Sequence, residues 1–211
     1  MWFLPSLGTD LWTNPRQPVV LTRILLVTHG LTDAQRSMRL ASPADHHHPP
    51  AEARRLDMHA PPDRVVLGPG IACAEAAGAL GVADGAVAEA ALADIDLGRW
   101  AGRSVAGLFR DEPDAVAAWL RDPTVAPHGG ESAADLIARV GGWLATQLAT
   151  AGTTMCVVTP WVARAGVAAA LGSEPTSFLH LDVEPFSVAE LRSDGHRLML
   201  RRFNEPTALP S

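Results

Sequence analysis

The apolar residues of this chain fall into short continuous runs separated by amphipathic stretches. Ile24–Val27 is the first run, inside Arg23-Ile-Leu-Leu-Val-Thr-His-Gly30, and Arg64–Leu67 and Thr154–Val158 follow it. Runs of this length, rich in branched residues and closed by turn formers, read as strands buried on both faces of a parallel sheet. Helical patterning fills the intervals. A helix is expected to start at Thr32, capped by Thr32 or Asp33. Others are expected at Ile71–Leu80, ended by Gly81, at Ser104–Arg110 and at Pro113–Leu120. Ala133–Ala149 places Leu136, Ile137, Val140, Trp143, Leu144 and Leu148 on one stripe. A further Ala-rich helix runs to Leu171 before Gly172. Ser187–Arg192 and Arg197–Phe203 read as two closing strands around Ser193-Asp194-Gly195. Residues 41–63 read as a Pro-, His- and Asp-rich loop with a short helical piece at Ala51–Leu56, and residues 87–98 as an irregular connection. Strands alternating with helices predict a three-layer α/β/α fold on a mostly parallel sheet.

No linker divides the chain. Residues 22–211 are expected to form one domain, and residues 1–21 an arm whose Trp2 and Trp12 dock on that domain or on a partner subunit. The apolar fraction of 47% in 211 residues is ample for a core. The formal charge is -6, and all 17 basic residues are arginines. With no basic block, nucleic acid is excluded as the main partner. No apolar run approaches the roughly 18 residues of a membrane span. The opening Met1-Trp2-Phe3-Leu4 meets Pro5 and lacks a basic start, which makes it a poor signal peptide. Cys73 and Cys156 sit in different apolar segments and read as buried thiols of a reducing compartment. A cytoplasmic protein without membrane contact is the expectation.

Thr28-His29-Gly30 lies at the carboxyl end of the first strand, where an open α/β sheet binds its ligands. Further polar motifs recur in order. They are Thr32; Gly68-Pro69 before a helix; Asp94-Ile-Asp-Leu-Gly-Arg-Trp-Ala-Gly102; Gly129-Gly130-Glu131-Ser132, with Arg139 eight residues past the glutamate; and Thr159-Pro160-Trp161 after the third strand. This succession resembles the histidine phosphatase superfamily, the phosphoglycerate mutase-like proteins, over about residues 22–203. The resemblance implies that family's fold. It also implies that His29 stands at the position of the histidine that attacks phosphorus, and Asp94 at that of the acid protonating the leaving alcohol.

The departures from the family pattern concern charge. Thr28 stands where the family has an arginine, and Ala72 where it has a second. The second histidine falls on Thr159 or Pro160. Gln35 replaces an asparagine. Phosphoryl transfer relies on cationic donors around the phosphate oxygens, so the resemblance implies a degraded phosphate pocket. Arg36 and Arg39 lie just after the first motif and Arg164 follows the third strand by one helical turn; Arg36 and Arg164 are the foremost substitutes. The candidate site is then His29 and Asp94 as catalytic groups, with Thr28, Gly30, Thr32, Arg36, Thr159, Trp161 and Arg164 as ligand contacts. Asp94 either orients His29 as a general base or is a loop aspartate, like Asp96, with one of the two pairing Arg99 or Arg103. Trp161 is either a plug or an apolar platform. Trp100 reads as core, and His128 as a turn residue. Neighbouring His46, His47 and His48 cannot all face one ion, so they read as a solvated loop or lid. No metal and no cofactor is expected. The functional expectation is a binding or regulatory pseudoenzyme. Its alternatives are a repurposed enzyme using His29 and Asp94 on a less charged substrate, or a weak phosphomonoesterase. The partner, small molecule or protein, is unspecified, and a homodimer is left open.

Overall fold

The computed structural model describes residues 21–48 and 61–207. The expected N-terminal arm and the helical piece at Ala51–Leu56 lie outside the described residues. Six strands form one sheet: β1 (Thr22–Thr28), β4 (Arg64–Leu67), β5 (Val87–Ala88), β6 (Gly152–Val158), β7 (Ser187–Ser193) and β8 (Leu198–Pro206). Their order is β5-β4-β6-β1-β7-β8. The first four are mutually parallel, and β7 and β8 add an antiparallel edge. A second, two-stranded ribbon pairs β2 (Leu31–Thr32) with β3 (His47–His48).

β1 lies inside the sheet and explains its own sequence. Both faces are covered, so successive residues are all apolar. Ile24 and Leu26 join the core beneath the helices α5 (Ala133–Gln147) and α6 (Pro160–Leu171). Leu25 and Val27 join the core beneath α2 (Ile71–Leu80). The expected three layers and mostly parallel sheet are therefore what the chain builds. α6 crosses β1 closely: a Cβ on Gly166 would sit 2.7 Å from Leu26 Cδ1. Two shorter helices, α3 (Val105–Asp111) and α4 (Pro113–Arg121), extend the α5 side with Leu108 and Val116 in the core. Trp100 is buried there, as expected of a core residue.

Several boundaries differ from the sequence reading. The helix after Thr32, α1 (Asp33–Arg36), is a single turn. The segment read as loop supplies β3, and the irregular connection supplies β5. Strands of two residues carry no periodicity, and their pairing is set by distant chain. Glu190 on β7 is 1% exposed, yet three arginines contact it: Arg23 at 3.0 Å, Arg192 at 2.7 Å and Arg202 at 3.5 Å. Burial pushes its carboxyl pKa up, but the hydrogen bonds from Arg23 and Arg192 more than offset this, and the net shift is downward.

Candidate active site

The carboxyl ends of β1 and β6 open into a cleft of about 220 Å³. Four segments line it: His29 with Thr32 and Gln35, residues 39–43 with Asp45, residues 69–73, and Asp94 with residues 159–161. The ribbon positions the first of these. Gly30 donates its N–H to His47 Nδ1 at 3.3 Å, and the His47 ring stacks on Phe186 at 6.2 Å. A Cβ at Gly30 would lie 2.4 Å from the His48 carbonyl oxygen, so only glycine lets β3 approach. Thr32 and Gln35 then form a reciprocal capping box on α1.

His29 is buried, at 4% exposure. Its Nδ1 lies 2.6 Å from the Gly30 carbonyl oxygen. A carbonyl can only accept, so Nδ1 carries the proton and Nε2 keeps its lone pair. Burial lowers the His29 pKa and outweighs the opposing effect of the Gly30 carbonyl. A neutral imidazole with a free Nε2 is the form that serves as a nucleophile or base.

Asp94 is fixed through Oδ1, which accepts from Thr159 Oγ1 at 2.7 Å and from Ile95 N–H at 2.9 Å. Burial pushes its pKa up to about 6, against the lowering effect of those two hydrogen bonds. Thr159 also caps α6, accepting from Val162 N–H. The Gly129–Ser132 motif holds this wall from behind. Arg139 forms a forked pair with Glu131 at 2.8 and 2.7 Å and donates to the carbonyls of Ala91 and Ala93 at 2.9 and 3.0 Å. It thereby anchors the chain that delivers Asp94.

The cleft lining brings together His29, Thr32, Asp94, Thr159 and Trp161 of the sequence-predicted set. It omits Thr28, Gly30, Arg36 and Arg164. Thr28 is buried, donating to the Glu184 carbonyl at 2.9 Å and accepting from Ser187 N–H at 2.9 Å. Gly30 acts through its backbone. Arg36 is exposed in the last turn of α1. Arg164 is packed behind Trp161, its guanidinium 5.3 Å from the ring centroids of both Trp161 and Phe178. Trp161 is a wall, not a plug, because it lines a cleft that His29 also lines. Neither aspartate pairs with Arg99 or Arg103: those arginines engage Glu112, which sits nearer on α3's end. Asp96 instead accepts from Gly98 N–H at 2.8 Å.

The three neighbouring histidines diverge. His46 contacts Glu75, His47 supports Gly30, and His48 contacts Asp33. No cluster of three or more metal-ligating side chains occurs among the described residues. The sequence reading ranks Arg39 behind Arg36, yet Arg39 is the arginine of the cleft. Met38 adopts a left-handed backbone, φ 51, which swings the chain inward after α1. A non-glycine residue there carries no sequence signal for that turn.

A family model matches residues 24–206, nearly the whole of the described chain: the histidine phosphatase superfamily, branch 1. The chain belongs to this superfamily. Among curated relatives, the "bifunctional protein Rv2228c" of Mycobacterium tuberculosis is 34% identical over 108 residues, covering 49% of this chain and 30% of that protein. Glucosyl-3-phosphoglycerate phosphatase of the same organism is 48% identical over 48 residues, covering 23% of this chain and 22% of the relative. The matches thus span less than a third of either relative's length. Among solved structures, the vanadate complex of mycobacterial glucosyl-3-phosphoglycerate phosphatase superposes with a TM-score of 0.73 at 24% identity, covering 86% of this chain and 98% of that one. A structure described as a putative alpha-ribazole-5'-P phosphatase from Escherichia coli gives 0.75 at 19% identity, covering 87% and 96%. These likenesses establish the shared fold. No helix among the described residues is long and apolar enough to cross a membrane.

Proposed function

We propose that this member of the superfamily is a pseudoenzyme with respect to phosphomonoesters, and that its cleft serves to bind a ligand of low charge. One observation carries the reading. Arg39 is the single cationic side chain among the described residues that line the cleft, and Asp45 and Asp94 accompany it. A phosphate dianion entering there meets one guanidinium where phosphoryl transfer needs several donors. Removing one such donor costs about a hundredfold to a thousandfold in rate. With Thr28, Ala72 and either Thr159 or Pro160 at three of the positions, turnover falls to a negligible level. A charge buried without partners is also poorly held.

A second reading is favoured by the Nδ1-protonated His29 and by the raised pKa of Asp94. These are the features of a base and an acid, and they support proton transfer on a weakly charged substrate. In both readings the ligand is small and held in the same cleft.

The test is hydrolysis of p-nitrophenyl phosphate at high protein concentration, alongside binding of vanadate. The expected result is no turnover above that of the His29→Ala variant and no vanadate binding at millimolar levels. Turnover that His29→Ala abolishes would overturn the proposal.

A further inference from the structure

Resting on the reading of the cleft as a low-charge binding site, we propose that its ligand is a flat, ring-bearing monoanion. Its ring lies against Trp161, and its single carboxylate-like group is taken by Arg39. The two halves of this assignment stand on separate observations.

The first is the rigidity of Trp161. Phe178 stacks on it at 5.5 Å and 26°, and Trp119 leans on it at 5.7 Å. The Arg164 guanidinium lies 5.3 Å from its centroid. Three neighbours thus hold the indole while it still lines the cleft. An aromatic surface immobilised before binding loses little entropy when a second ring stacks on it. Leu40, Pro43, Pro69, Ile71, Ala72 and Pro160 add apolar surface to the lining. A volume of about 220 Å³ suits a body of one or two fused rings.

The second is Arg39. It is half-buried on the cleft wall, and among the described residues its side chain makes no ion pair and no hydrogen bond. Arg99, Arg103 and Arg139, by contrast, each hold a carboxylate. A planar guanidinium left open beside an apolar cleft matches a planar anion. Asp45, on the same strip of chain, accepts from Ser42 N–H at 2.6 Å and adds a carboxylate to the cleft lining. That charge opposes a dianion more than a monoanion.

The experiment titrates four probes into the full-length chain: indole-3-acetate, its neutral analogue indole-3-acetamide, non-planar cyclohexylacetate, and phenyl phosphate. Dissociation constants are read by chemical-shift perturbation. Indole-3-acetate is expected to bind tightest of the four. Arg39→Gln should weaken it about tenfold or more and leave indole-3-acetamide unchanged. Trp161→Leu, which keeps apolar bulk, should weaken indole-3-acetate several-fold and cyclohexylacetate little. Equal binding of cyclohexylacetate and indole-3-acetate, indifference to Arg39→Gln, or no binding by either carboxylate would overturn this inference alone. Tightest binding or hydrolysis of phenyl phosphate would overturn the low-charge reading beneath it.

Discussion

At the scale of single residues, Asp94 gives the sharpest prediction. An unfolded aspartate has a pKa near 3.9, whereas burial raises Asp94 to about 6. Between those values the folded chain holds the extra proton, so stability from this group falls as pH rises from about 4 to about 6 and stays lower above. Asp94→Asn removes that ionisation while its amide oxygen can still accept from Thr159. The variant should gain about 3 kcal/mol at pH 7.5 and nothing at pH 4, read from denaturant midpoints at the two pH values. Thr159→Val removes a hydrogen bond that favours the carboxylate and should move the midpoint of that pH dependence upward. Gly30→Ala should cost about 2 kcal/mol or more, because the new methyl meets the His48 carbonyl. Thermal unfolding checks this, and a neutral result would mean that β3 can move away. His29, Asp94 and Trp161 were legible in the sequence because they flank strand ends or fixed motifs. Thr28 was legible as an absence of charge, but not as the hydroxyl that ties β1 to the Glu184–Ser187 turn.

At the scale of elements, the Gly-Gly-Glu-Ser turn and α5 act together through Arg139. Its guanidinium binds Glu131 and reaches the carbonyls of Ala91 and Ala93, and so couples a helix to the strandless segment ending at Asp94. Arg139→Ala leaves Glu131 and those carbonyls without their donor and should destabilise the chain by about 3 kcal/mol. Arg139→Lys should recover little, since a single ammonium cannot serve the carboxylate and the carbonyls in one plane. The measurement is denaturant unfolding of both variants, and full rescue by lysine would sink the forked-pair account. Most helices were readable from their period and caps. The β2–β3 ribbon was not, because its two-residue strands depend on contacts among Gly30, His47, Glu75 and Asp33 that lie far apart in sequence. The inward turn at Met38, which puts Arg39 rather than Arg36 in the cleft, was invisible for a similar reason. It is set by tertiary bonds such as Val105 N–H to the Met38 carbonyl.

At the scale of the whole molecule, sheet and helices preserve the family's architecture. The parallel sheet was legible because burial on both faces demands apolar runs. The cleft's character was legible in part, since it depends on which side chains face one space. β1 draws out a further consequence. It is hydrogen-bonded to β6 on one side and β7 on the other, and Ile24 to Val27 are at most 2% exposed. Backbone amides in such a strand exchange with deuterated solvent only when the whole fold opens. The amides of Leu25 to Val27 should therefore be among the slowest in the chain, and occupying the cleft should leave their rank unchanged. Those of the ribbon and of residues 39–45 should exchange faster and slow when a ligand binds. Fast exchange in β1 would show a looser centre than this. His29 follows directly on the part of the molecule that opens last. Its backbone position is therefore tied to the stability of the whole sheet.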